Sequence, residues 1–81
     1  MEVVEFTEFL VKSLVKDPDM VKVEKFETED EGTIIEIIVS DADMGAVIGK
    51  AGKTASAIRT LIQANCYINN KPRVKINIDS F

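Results

Sequence analysis

With 81 residues, 46% apolar and 30% charged, the chain is expected to form one small domain over residues 1–81, too small for an enzyme with its own lidded pocket. It has no run of about 18 apolar residues to cross a membrane, no histidine, and one cysteine, Cys66, which leaves neither an internal disulfide nor a metal-ligand set. The net charge of −4 argues against nucleic acid for the molecule as a whole, yet residues 1–31 hold ten acids against four lysines, while Met44 to Lys75 hold no acid and six bases.

Residues 2–16 are predicted to be a helix. At about 100° per residue, Val3, Val4, Phe6, Leu10, Val11, Leu14 and Val15 gather on roughly half the circumference, with Thr7 interrupting them and Phe9 beyond the edge. A helix lying on one sheet needs a stripe of about 100°, so part of this wider face is expected to meet another subunit. Asp17-Pro18-Asp19 should end the helix, because the residue before proline is pushed out of the α region. Met20 to Thr28 alternates as a half-buried strand, Glu29-Asp30-Glu31-Gly32 is a solvated turn, and Thr33 to Val39 is a second, isoleucine-rich strand. The two make an antiparallel hairpin.

Ser40, Asp41 and Asp43 offer side-chain acceptors for the start of a short helix running to about Ile48. A longer helix is expected from about Lys53 to Asn65 or Ile68, with Ala55, Ile58, Leu61 and Ile62 toward one face. Asn69-Asn70-Lys71-Pro72 is a loop, and Val74 to Asp79 alternates as a last strand with one face wet. The start of the chain, Met1-Glu2-Val3-Val4-Glu5, lacks the basic and apolar regions of a secretory leader, so a reduced, cytoplasmic setting is expected.

Between the two later helices lies Val47-Ile48-Gly49-Lys50-Ala51-Gly52-Lys53-Thr54. Two glycines three apart let a backbone turn tightly and approach a ligand with no Cβ in the way. Lys50 and Lys53 put positive charge there, and a helix starting after Gly52 aims its free N–H groups the same way. Such a turn suits a phosphate. It is not a P-loop, which needs glycine five positions before Gly52, where Val47 stands. Asp41 and Asp43 are expected to be caps, and Cys66, without an activating base, a packed thiol. No catalytic residue, metal or cofactor is predicted.

The Gly49–Gly52 turn, set between two helices in the order α-β-β-α-α-β, resembles the G-x-x-G loop of a KH domain of type II topology. That resemblance implies an α+β fold with a three-stranded mixed sheet and three helices on one face. Asp43-Met44-Gly45, Val47-Ile48-Gly49-Lys50 and Ala57-Ile58-Arg59-Thr60-Leu61 make the chain similar to the small bacterial stand-alone KhpA proteins. Such proteins bind single-stranded RNA, clamping about four nucleotides. The family's link to post-transcriptional control, RNA chaperoning and cell shape comes with the resemblance, as does a homodimer or a heterodimer with a larger KH-domain protein. The expected RNA-binding residues are Val47, Ile48, Gly49, Lys50, Ala51, Gly52, Lys53 and Thr54, extended by Arg59, Lys71 and Arg73. Val47, Ile48 and Ile58 either floor a groove for bases or belong to the core, and Arg59, Lys71 and Arg73 either track a backbone or are solvated surface charges. Ala46 and Ala51 stand where the family often has a base, which favours the alternative of an assembly module with weak RNA binding.

Overall fold

The isoleucine-rich run forms β2 (Gly32–Val39), the middle strand of the computed structural model, which describes residues 1–81. Strand β1 (Lys22–Thr28) pairs with it antiparallel, and β3 (Lys75–Ser80) pairs with it parallel on the other side. Strand side chains alternate, so Ile35, Ile37 and Val39 share one face, where all three are fully buried. Each such burial is worth about 1.5–3 kcal/mol. Helices α1 (Val3–Lys12), α2 (Met44–Ile48) and α3 (Lys53–Ile68) cover that face. Val11, Val47, Ile58, Ile62 and Cys66 complete the core, with Val74 and Ile76 at its edge. The opposite face, with Phe26, Ile34, Ile38 and charged neighbours, is at least partly exposed. The element order, mixed sheet and one-sided helices are those expected, and no helix is long and apolar enough to cross a membrane.

Parallel strands cannot be joined by a hairpin and need a crossover. Here α2 and α3 supply it, so the Gly49–Gly52 turn lies at the end of the sheet where β2 and β3 finish. The segment 69–73 lies at the other end. Sixteen residues of α3 separate the two by about 24 Å. The lower end of α3 closes with a left-handed Asn70 (φ 58°), the Asn70 N–H donating to Tyr67 O and the Lys71 N–H to Cys66 O. Asparagine tolerates that conformation, and Pro72 then forbids continuation.

The first helix is shorter than its pattern. It ends at Lys12 rather than at residue 16, with the Ser13 hydroxyl donating back to Phe9 O. The cause lies far away in sequence: Asp43, 4% exposed, accepts the N–H groups of Lys16 and Asp17 and the Ser40 hydroxyl. Backbone claimed by that carboxylate cannot stay in the helix. Asp43 therefore fastens the α1–β1 connection to the start of α2, and neither short helix at 41–48 is capped by a side chain, contrary to expectation. Thr7, the polar break in the apolar arc, is buried because its hydroxyl donates to Val3 O at 2.7 Å. A 3-10 turn at Pro18–Met20 delays the first strand to Lys22. Leu61, assigned to the inner face of α3, is 46% exposed on its flank.

The Lys16 N–H, ahead of the Asp17 N–H and the Ser40 hydroxyl, holds the Asp43 carboxyl below the usual carboxylate range, against burial that pushes it up. A depressed folded-state pKa means that the carboxylate stabilises the fold above the unfolded pKa and loses that effect as pH falls through the folded one. Asp43→Asn is expected to lower the melting temperature at pH 7. The gap from wild type should close on acidification below about pH 4, which thermal unfolding followed by circular dichroism across pH will show.

Candidate functional site

The turn between α2 and α3 is built from three residues with positive φ. Gly49 (φ 76°, ψ 174°) ends α2 in a conformation open essentially to glycine alone. It also has no room for a side chain: a Cβ there would lie 2.6 Å from Thr54 Cβ and 2.8 Å from Thr54 N. Lys50 starts a single 3-10 turn, and Ala51 (φ 56°) and Gly52 (φ 75°) follow, both left-handed, before Lys53 opens α3. At Gly52 a Cβ would meet nothing within 4 Å. The two glycines thus have different reasons: Gly49 is required by packing and conformation together, Gly52 by conformation only.

What the turn offers a ligand is backbone. Lys50 and Ala51 are exposed, and Gly49 and Gly52 are half-buried. The Lys53 N–H donates to Lys50 O, but no side chain caps α3 and its first turn holds no acid, so the N–H groups after Lys53 and the positive dipole end suit an anion. Lys50 and Lys53 form no ion pair with any acid of the chain. Helix terminus, exposed backbone and two unpaired cations are the groups that suit an anion such as phosphate.

The other predicted residues fall into two groups. Val47 and Ile58 are core side chains, 0% and 3% exposed, which resolves their role in favour of packing: they hold the turn from beneath and do not floor a groove. Ile48 is half-buried at the edge of the turn, and Thr54 is half-buried against Gly49. Arg59 is exposed six residues beyond Lys53, about 9 Å along the axis. Lys71 and Arg73, also exposed, lie at the far end of α3 and are not part of the turn. Lys71 borders a recess of about 680 Å³ with Met1, Glu2, Lys25 and Glu27. Burial pushes the thiol of Cys66 up in pKa, which suits a packed residue and not a nucleophile.

One positioning residue escapes the sequence. Gln63 donates through Nε2 to Val74 O at 2.5 Å and accepts the Val74 N–H at 3.1 Å, pinning the segment that carries Arg73 to the side of α3. A glutamine on a polar helix face carries no local sign of such a bond.

The model of the KhpA/KhpB KH domain matches residues 4–78. RNA-binding protein KhpA of Borreliella burgdorferi is 45% identical over 75 residues, covering 93% of this chain and 89% of that one. RNA-binding protein KhpA of Clostridium acetobutylicum is 46% identical over 71 residues, covering 88% and 92%. Among solved structures, Aquifex aeolicus Era bound to GDP and aluminium fluoride superposes with a TM-score of 0.70 at 19% identity, covering 98% of this chain and 30% of that chain. Era in complex with MgGDPNP and nucleotides 1506–1542 of 16S ribosomal RNA gives 0.71 at the same identity. At that identity the likeness is one of fold.

The asymmetry of the glycines is open to a direct test. Gly49→Ala should cost about 3 kcal/mol or more, the sum of left-handed strain and the clash with Thr54. Gly52→Ala should cost only about 1 kcal/mol, both read from urea unfolding midpoints.

Proposed function

The chain belongs to the KhpA/KhpB KH-domain family, which is not an enzyme family, and we propose that it binds single-stranded RNA by clamping the sugar–phosphate backbone in the Gly49–Gly52 turn. The observation that carries this reading is the pair of unpaired lysines on a side-chain-free backbone at an uncapped helix start. Gly49 and Gly52 admit the backbone to close range, Lys50 and Lys53 each neutralise a phosphate, and the first amides of α3 complete the cradle. The names of the relatives, RNA-binding protein KhpA, support RNA as the polymer. Backbone contacts position a strand without reading its sequence, which fits a broad RNA chaperone or post-transcriptional regulator working in the cytoplasm. We take residues 1–81 as a single KH domain.

A second reading, assembly, rests on a different surface and is compatible with the first. Ala57, Leu61, Ala64 and Ile68 form an exposed stripe along one flank of α3. Beside it a shallow groove runs between Phe6, Leu61, Ala64 and Ile68, and Ile68 is 75% exposed. This flank, continuous with the broad apolar face of α1, is where we place pairing with a second copy or with a larger KH-domain protein. Pairing would set two turns on one RNA and raise avidity.

Gly52→Asp separates binding from folding: its Cβ has open space, aspartate tolerates a left-handed backbone, and an acid is favourable at a helix start. Fluorescence anisotropy with labelled single-stranded RNA is expected to show saturable binding by the wild type that weakens with salt and disappears in folded Gly52→Asp. Equal binding by the variant would refute the clamp. For the flank, Leu61→Glu together with Ile68→Glu should shift the sedimentation of the protein to that of a monomer while leaving its melting temperature within a few degrees of wild type.

A further inference from the structure

We propose that the RNA path does not end at the glycine turn but runs down the outer face of α3 to a base-stacking position on Tyr67. The inference rests on the RNA-binding reading above and deepens it by assigning a second contact that reads a base and not a phosphate.

The path is laid out by helix geometry. Lys53, Thr60 and Tyr67 are seven residues apart, and seven residues fall about 20° short of two turns, so the three form one line along α3. All three are exposed. The line starts at the turn and reaches Tyr67 after fourteen residues, about 21 Å along the axis. Tyr67 is 83% exposed, and its hydroxyl takes part in no hydrogen bond within the chain. A large ring projecting this far from a well-packed helix does nothing for the fold. Ser56 lies beside the line, and Arg59, exposed and without an ion-pair partner, flanks it toward β3. At the lower end Arg73, also unpaired, is held near the helix by the two bonds from Gln63 to Val74. No acid stands in the sequence between Met44 and Lys75, and Glu31, in the hairpin at the lower end of the sheet, is paired with Lys75. A cationic helix face with one projecting aromatic ring is the combination that single strands use, phosphates meeting the charges and a base lying on the ring. A protein partner would call instead for the apolar flank, which begins one residue further round, at Ile68.

The chain carries its own probe, because Tyr67 is the single tyrosine and there is no tryptophan. Intrinsic tyrosine fluorescence of the full chain is titrated with unlabelled oligouridylates of about four and about ten nucleotides, lengths that cover the clamp alone and the clamp with the path. Affinities are measured in parallel by competition against a labelled RNA. The longer RNA is expected to quench Tyr67 and the shorter one not to. Tyr67→Ala should weaken the longer RNA by roughly tenfold and leave the shorter one unchanged, and Tyr67→Phe should restore the affinity. If the longer RNA binds in a Gly52-dependent way while Tyr67 is not quenched and Tyr67→Ala binds equally well, the path is refuted and the clamp stands. If neither RNA binds, both are refuted. Loss of both RNAs in Tyr67→Ala would also overturn the proposal, since stacking at the far end cannot govern a strand too short to reach it.

Discussion

The absence of a Cβ at Gly49 is the constraint on which the site depends. β2 and β3 run parallel, so the chain must cross the sheet between them, and it does so with two helices that meet at a four-residue turn. They can meet so closely only because Gly49 lies directly over Thr54, in the first turn of α3. Val47 on one side and Ile58 on the other are buried in the core, so the turn is gripped from both flanks. The result is a backbone reversal held by packing and by its own hydrogen bonds, Gly49 N–H to Gly45 O and Gly52 N–H to Gly49 O. A phosphate meeting it has little loop entropy to remove, which is the main cost that flexible binding loops carry.

The same crossover explains how an acidic chain offers a cationic site. The acids Glu29, Asp30 and Glu31 lie in the hairpin at the start of β2, the end of the sheet opposite the glycine turn. The intervening distance, set by α3, is about 24 Å, against a screening length of about 8 Å at physiological ionic strength. Acid and base are thus separated by the fold into regions that scarcely feel each other. Where they do approach, as in the exposed pair of Lys75 with Glu31 at 3.4 Å, the base concerned is not one of those near the turn. The overall charge of −4 is consequently a poor guide to the field at Lys50 and Lys53, and a fair guide to solubility.

Much of this architecture was legible in the residues because it depends on local rules. The isoleucine-rich run of β2, the proline after residue 17 and the spacing of the glycines each act over a few positions, and each led to the right element. What was missed depends on tertiary partners. Nothing in α1 announces that Asp43 will withdraw Lys16 from the helix, for the acceptor lies 27 residues away. Nor does periodicity tell Leu61 from Ile62, adjacent apolar residues of which one is buried and the other stands on the flank. Of the site, the turn itself could be read, because left-handed backbone needs glycine. The grouping of Lys71 and Arg73 with it could not be judged, since sequence proximity to β3 says nothing of which end of α3 they occupy.

A clamp that holds only backbone faces a limit of its own. It gives a few phosphate contacts that salt weakens, no sequence preference, and little area from which to gain more. Two extensions are proposed on this small body, and they occupy adjoining strips of the same helix, which diverge toward its lower end. Tyr67 and Ile68 are neighbours in sequence, about 100° apart around α3, one ending the polar line from the turn and the other ending the apolar flank. Pairing through the flank would then place two polar lines and two turns on a common assembly, and affinity would come from the number of modest contacts engaged together, with no need for any one of them to be strong.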